Sequence, residues 1–472
     1  MIESDISKAT EDGVTVVLVL KTGVDWEKVK ESNFPYPIEN WRASAPPKDM
    51  NEWYDFVYNL AKQFKGKIKY YGVMDEVHWT FSGTIEEYLE LLKVTSNAIH
   101  SADPDAKVIP SFTSPALFIV WEMNGLSKES RIQEAIDLHN WFFEGVERPL
   151  TNENDLINYL ADERSTRAIQ LLEAIYSDYS QYIDVYEFHS YNPYDKTLHV
   201  LTYLKSRMAG QGINKPIIAE IGTLSLPGAY VDETTRQQDV VRNFAITLGN
   251  GVSMACWFAL TDAENRSCGL VGINPDNTFT QRPAYFTFKL MVSKLGGYNS
   301  AEAIDLGQDV FAFKFTKDTS SVYILWGGEN KTIGLPDGAK TVKITDIAGN
   351  VTDGLSSQIP ISSSPIFVEE KNVTIVEQQD VSSDGYSYKL HQNYPNPFNP
   401  STTIRFAFPH REHVTLKVFD VLGREVTTLV DREFIAGEHS VVFDAKDLPS
   451  GMYFFRLITP TFSQTKSMQV LK

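Results

Sequence analysis

The stretch that decides the fold is Lys67 to Trp79, KIKYYGVMDEVHW. Its first half, Ile68 to Met74, is an apolar and aromatic run of the kind expected for a strand covered on both faces. The run stops at two adjacent carboxylates, Asp75 and Glu76, followed at once by His78 and Trp79. In a barrel of parallel strands the carboxyl ends build the active site, so Glu76 is a candidate for chemistry. The same two carboxylates could instead do no more than open a loop and cap the helix that follows from Thr84.

A second stretch favours chemistry. Lys215 to Gly222, KPIIAEIG, is another short apolar strand closing on one carboxylate, Glu220, with Gly222 permitting a close backbone turn. Two strand-end glutamates far apart in sequence would face each other across a barrel mouth. That pairing suits glycosidic bond cleavage: one carboxyl group is protonated to release the leaving oxygen, while the other stays ionised and attacks the anomeric carbon.

With these motifs in place, residues 12–297 resemble the glycoside hydrolases of clan A, most nearly the xylosidase, iduronidase-like and endoglycosidase-like members. The run GTIEEYLELLKVTSNAIHSADPDAKVI looks like the helix and fifth strand that follow the acid/base strand there. The resemblance implies an α/β fold, a (β/α)8 TIM barrel, with Glu76 as acid/base ending strand four and Glu220 as nucleophile ending strand seven. The candidate strands are Gly13 to Lys21 for three, Lys69 to Met74 for four, Lys107 to Phe112 for five, Asp184 to His189 for six, Pro216 to Ala219 for seven and Val252 to Ala259 for eight. Strands one and two find no counterpart. The expectation is a partial barrel over residues 1–297, lacking its first two strands, with unpaired edges at Thr15 to Leu20 and Val252 to Phe258.

The resemblance also supplies a first shell. Where the clan has an asparagine that donates to the sugar's 2-hydroxyl, this chain has Asp75, which when ionised can only accept. Two adjoining carboxylates also raise one another's pKa. His189 and Tyr191, in EFHSYNPYD, fall where clan members place imidazole or aromatic groups against the nucleophile. A hydrogen bond from Tyr191 would lower the pKa of Glu220 and fix its orientation, whereas a satisfied rim histidine is the plainer reading of His189. Trp257, in CWFALTD, resembles the tryptophan that floors the sugar site. Trp79 and Trp121 are candidate stacking platforms, although core packing would account for either.

Composition agrees with an α/β enzyme of several domains. The chain has 472 residues, 42% of them apolar, and no apolar run long enough to span a membrane. A formal net charge of -18 argues against nucleic acid, and 12% aromatic residues suit a carbohydrate substrate. The two cysteines, Cys256 and Cys268, provide no disulfide framework, and no His, Cys or carboxylate spacing suggests a metal. No cofactor is expected.

Downstream the pattern changes to short alternating strands. VFAFKFT, SVYILWG, TVKITD and PIFVEE, within 298–370, predict an accessory β-sandwich, and the polar segment 371–388 a linker. Residues 389–472 predict a further, Ig-like β-sandwich with a hairpin turn at Leu422-Gly423. Their motifs YPNPFNPSTTI and DVLGREV closely resemble the type A C-terminal sorting domain of the type IX secretion system. That implies export across the outer membrane by the type IX machinery, then release or attachment at the cell surface. Such cargo first needs an N-terminal export signal, and none precedes the first strand, so a start upstream of Met1 is expected. The expected function is an exported retaining glycoside hydrolase acting on poly- or oligosaccharide. The alternative is a catalytically inactive surface protein that binds carbohydrate.

Overall fold

The computed structural model describes residues 2–22, 44–110, 113–223, 231–262, 269–274, 276, 278–318, 320–336, 340–370, 388–408, 412–421, 424–434, 437–446, 448–459 and 462–471. The expected linker up to residue 387, Phe112, Cys268, the Leu422-Gly423 turn and the side chain of Trp79 lie outside the described part. The chain divides into two compact units, Met1–Val373 and Thr374–Lys472.

Among the described residues, unit 1 is built on six short parallel strands. β1 (Val17–Leu20), β2 (Tyr70–Val73) and β3 (Lys107–Ile109) form one parallel sheet, and β4 (Tyr186–Ser190), β5 (Ile217–Gly222) and β6 (Met254–Phe258) another. The two sheets meet where the amides of Asp184 and Val185 donate to the carbonyl of Val108, at 2.9 and 3.2 Å. Side chains alternate along a strand. One face therefore collects Ile109, Val185 and Ile218, with Val17, Tyr70 and Met254 beside them, into an inner cluster fed from both sheets. The opposite face packs on the surrounding helices. Helices occupy the crossovers, as parallel strands require: Met50–Gln63 lies between β1 and β2, Ile85–Ala102 between β2 and β3, Tyr194–Gly210 between β4 and β5, and Glu233–Gly249 between β5 and β6. Among the described residues β1 pairs only with β2, and β6 only with β5.

Two local expectations are corrected. The strand expected over Pro216 to Ala219 runs on to Gly222, so Glu220 sits within the ladder, opposite Cys256, and not beyond its end. The carboxylates Asp75 and Glu76 do not cap the long helix. Thr84 does, in a capping box in which its hydroxyl accepts from the Glu87 amide and the Glu87 carboxylate accepts from the Thr84 amide, at 3.2 and 3.0 Å.

Unit 1 also holds an antiparallel sheet ordered Val351–Leu355, Thr341–Asp346, Ile366–Glu370, Ser321–Gly327, Val310–Thr316, Ser300–Ala303. One face, with Phe313, Phe315, Trp326 and Phe367, shares the helical core; the other, with Tyr323, Leu325 and Val368, buries Ile333, Ile359 and Ile361. Helix Glu233–Gly249 approaches so closely that a Cβ on Gly249 would lie 2.2 Å from Phe313.

Unit 2 has a core of its own, including Phe398, Ile404, Phe406, Leu416, Phe455 and Val470. A three-stranded and a four-stranded antiparallel sheet contribute to it. Strand Glu412–Phe419 alternates between buried and more open positions, as a half-covered strand should. The Pro-rich entry is stitched to the rest of the unit. Asn393 is buried and donates to the carbonyl of Pro395 and the hydroxyl of Thr402, at 3.1 and 3.0 Å, while the amides of Phe398 and Leu471 bind across to the carbonyls of Gln469 and Phe398.

Candidate active site

At the carboxyl end of β2 the backbone turns sharply. Met74 and Glu76 both have positive φ, 69° and 47°, a conformation that non-glycine residues hold only where surrounding contacts impose it. Here those contacts are visible. The Met74 amide donates to the Leu20 carbonyl at 2.9 Å, and the Thr80 hydroxyl donates to the carbonyls of Asp75 and Glu76. Arg167, from helix Glu163–Ile175, gathers the loop from the other side. Its guanidinium donates to the carbonyls of Phe81 and Gly83 at 2.9 and 3.0 Å and reaches those of His78 and Val77 at 3.3 and 3.5 Å. Glu76 opens the short turn Val77–Thr80 without capping it, which leaves its carboxylate available.

That carboxylate meets β4. Glu76 Oε1 lies 3.1 Å from His189 Nε2, a contact in which the imidazole is buried. His189 pairs in register with Glu220 on β5, so the two share one row of the inner face. The His189 and Tyr191 rings lie 5.5 Å apart, and the Tyr191 hydroxyl donates to Glu220 Oε1. Glu76, His189, Tyr191 and Glu220 thus form one continuous cluster. Asp75 stands at its rim, paired at 3.0 Å with Lys21 beyond the end of β1. This pair is well exposed and contributes little to stability.

Electrostatics divide the cluster. Burial opposes a charge on His189, but contact with Glu76 and the nearby carboxylates of Glu187 and Glu220 outweighs it and lifts the imidazole to about 9. His189 is therefore a cation at neutral pH. His78, two residues after Glu76, goes the other way: burial, then the charges of His189, Arg164 and Arg167, push it down to about 3, and it stays neutral. The Glu220 carboxyl is raised by burial, and this is offset in part by Tyr191 and His189. Burial and the negative charge on Glu220 hold the Tyr191 phenol firmly protonated.

Glu187 is the residue that the sequence reading missed. It lies two positions before His189 on the same face of β4 and is 2% exposed. Its Oε2 accepts from the Thr113 amide at 3.1 Å, and burial pushes the carboxyl up to about 8. In sequence it is one charge in YEFHS, where an acidic residue ordinarily marks the solvent face of a strand.

Trp257 is a correction. Register places it beside Ile221 on the outer face of β6, and its ring stacks on Phe244 of helix Glu233–Gly249 at 6.4 Å. Phe258 takes the site-facing position, 5.4 Å from Tyr191. Gly222 allows this approach: a Cβ there would lie 2.6 Å from the Phe258 carbonyl oxygen and 3.0 Å from the Tyr191 ring. Trp121 is also a core residue, 3% exposed and stacked between Tyr176 and the Arg207 guanidinium. Among the described residues no group of His, Cys, Asp or Glu could hold a metal ion, and no helix is long and apolar enough to cross a membrane.

Fold and site together describe a mixed α/β protein with a buried carboxylate and imidazole cluster at the carboxyl ends of parallel strands. Its address is clearer still. Residues 392–471 match the family described as the secretion system C-terminal sorting domain, so the chain carries a type IX sorting domain and is directed to export. No curated protein matches the sequence. Among solved structures, a glucosidase from Croceicoccus marinus is similar at 12% identity and TM-score 0.46, covering 93% of this chain and 78% of that one. A family 44 xyloglucanase from Paenibacillus polymyxa is similar at 11% identity and TM-score 0.42, covering 79% and 83%. A monomeric beta-xylosidase from Caulobacter crescentus CB15 is similar at 10% identity and TM-score 0.43, covering 78% and 83%.

Proposed function

We propose that the chain is an exported retaining glycoside hydrolase whose six parallel strands belong to a barrel of the (β/α)8 kind. The observation that carries this reading is the convergence of Glu76 and Glu220, 144 residues apart in the numbering, on one His189–Tyr191 bridge. Glu220, oriented by Tyr191, attacks the anomeric carbon and forms a glycosyl ester as the leaving oxygen takes a proton from Glu76. Glu76 then removes a proton from water, which attacks the same carbon and frees Glu220. Phe258 replaces Trp257 as the apolar surface beside the nucleophile.

Full-length protein is to be assayed for reducing-sugar release from β-linked polysaccharides and aryl glycosides, with Glu76→Gln and Glu220→Gln as variants. The proposal expects both substitutions to lower kcat by about 10³-fold or more, in line with the loss of an acid/base or a nucleophile. It also expects azide to rescue Glu76→Gln on an activated aryl glycoside with retention of configuration in the glycosyl azide, because azide attacks the glycosyl ester on Glu220 without a general base; an inverted glycosyl azide from Glu76→Gln would reverse the roles. Activity retained in both variants ends the proposal.

A binding protein without catalysis is favoured by one observation: the carboxyl assigned to attack, Glu220, is the one raised by burial, while Glu76 faces a cation. Glycan binding by the parent, with no turnover of any β-linked substrate, would decide for that reading.

A further inference from the structure

We propose that Glu187 is a third carboxyl of the same site, a positioning residue that acts through His189 and Glu220 and does not touch a substrate. The inference rests on the two-carboxylate reading given above. Three observations support it. First, Glu187 shares the inner face of β4 with His189, one pleat below, and lies opposite Ile218, which immediately precedes the Glu220 row. Second, one backbone connects the two residues. The Thr113 amide donates to Glu187 Oε2 at 3.1 Å, and the Thr113 carbonyl accepts from the His189 amide at 3.1 Å. Third, the remaining oxygen, Oε1, is buried with no hydrogen-bond partner among the described residues.

A carboxyl with one unsatisfied oxygen in a barrel interior gives the fold nothing that an apolar side chain would not give better. Its value lies in charge. Among the described residues, His189 on the same strand, Tyr191 just past its end, Glu220 on β5, Cys256 on β6, Tyr176 just after helix Glu163–Ile175 and Asp75 at the end of β2 are the titratable groups around it. Of these only His189 is a cation. While Glu187 keeps its proton, His189 is balanced by Glu76 and Glu220 alone. As Glu187 ionises it adds a third counter-charge and keeps the imidazolium protonated to higher pH, so that the cation beside Glu76 survives into the alkaline range. The stability sign follows. A carboxyl raised from its ordinary 4.5 to about 8 binds its proton more tightly folded than unfolded, so its contribution is complete below 4.5 and declines as pH rises to about 8.

The experiment uses the full chain labelled at histidine ring carbons, with the His189 signal assigned by its loss in His189→Gln. In the parent, His189 is expected to titrate near 9. In Glu187→Gln its midpoint should fall by about one pH unit, the size of a shift that a single nearby charge produces. The melting temperature of this variant should equal that of the parent in acid and exceed it increasingly toward pH 8. An unmoved His189 midpoint overturns the proposal, and so does a variant that is less stable at every pH, because that is the behaviour of a merely structural residue. Should Glu187→Gln fail to fold, a parent His189 titrating at the ordinary histidine value overturns it equally. A shifted midpoint in a protein that hydrolyses no glycoside would sink the glycosidase reading and leave the coupling of Glu187 to His189 standing.

Discussion

Replacing Arg167 by methionine tests whether the loop that aims Glu76 is held from outside. The guanidinium makes two close contacts, to the carbonyls of Phe81 and Gly83 at 2.9 and 3.0 Å, and two long ones that add little. A hydrogen bond to a charged donor is worth about 1.5–3 kcal/mol when well buried, and removing it leaves the carbonyls to find water. Arg167 is only half-buried. Taking the lower end for each of the two close bonds gives a loss of about 3 kcal/mol. All 8 tryptophans precede residue 327, so urea unfolding followed by tryptophan fluorescence reports unit 1 alone. The left-handed backbone of Glu76 stores about 1–3 kcal/mol that these contacts oppose together with those of Met74 and Thr80, so hydrolysis should fall further than stability alone explains, even where the variant is fully folded. Arg167→Lys should recover little, since an ammonium cannot spread over carbonyls as a planar fork does. A loss of stability below about 0.5 kcal/mol, the ordinary range of surface changes, would refute the clamp. So would full activity in the folded variant.

Other outcomes follow from the same geometry. Tyr191→Phe removes the hydrogen bond that favours ionised Glu220; the acid limb of the pH profile should move to higher pH, and turnover should fall by roughly 10–100-fold, as measured on an aryl glycoside. Gly222→Ala drives a methyl against the Phe258 carbonyl and the Tyr191 ring, and should cost about 1–3 kcal/mol in the same fluorescence assay while displacing Tyr191 from Glu220. In unit 2, Asn393→Ala removes the two bonds that its amide donates to the Pro395 carbonyl and the Thr402 hydroxyl, leaving these joined to each other by the Thr402 hydroxyl's own bond. It should lower protection of strand Ser401–Phe408 in hydrogen exchange by about 1–3 kcal/mol without changing the unit 1 transition.

The elements that were legible in the sequence are those specified by local chemistry. Apolar runs marked β2 and β5, and the charge in or just past each run singled out Glu76 and Glu220 as candidates, because a carboxylate stands out among residues suited to burial. The sorting domain was legible too, since its Pro- and Asn-rich motif is distinctive as sequence, whereas the bonds from Phe398 to Gln469 and from Leu471 to Phe398 that tie it down are long-range. Trp257 was misplaced because, on a strand buried to similar extents on both sides, which of two adjacent aromatics faces the site depends on register, and a shift of one residue exchanges the faces.

Local order along the chain therefore determined which residues are candidates for chemistry, and which segment is the sorting domain. Only the tertiary structure decided which of those residues meet and in what charge state. The pairing of Glu76 with His189 spans two crossovers. The turn that aims Glu76 is held by Arg167, 91 positions further along the chain. The proton on Glu187 exists because the strands and helices around β4 bury every side chain of YEFHS, including one that the sequence alone would place in water. The physical reason is that proton affinity follows desolvation and neighbouring charge, and both are properties of what surrounds a side chain in space and not of what precedes it in the chain.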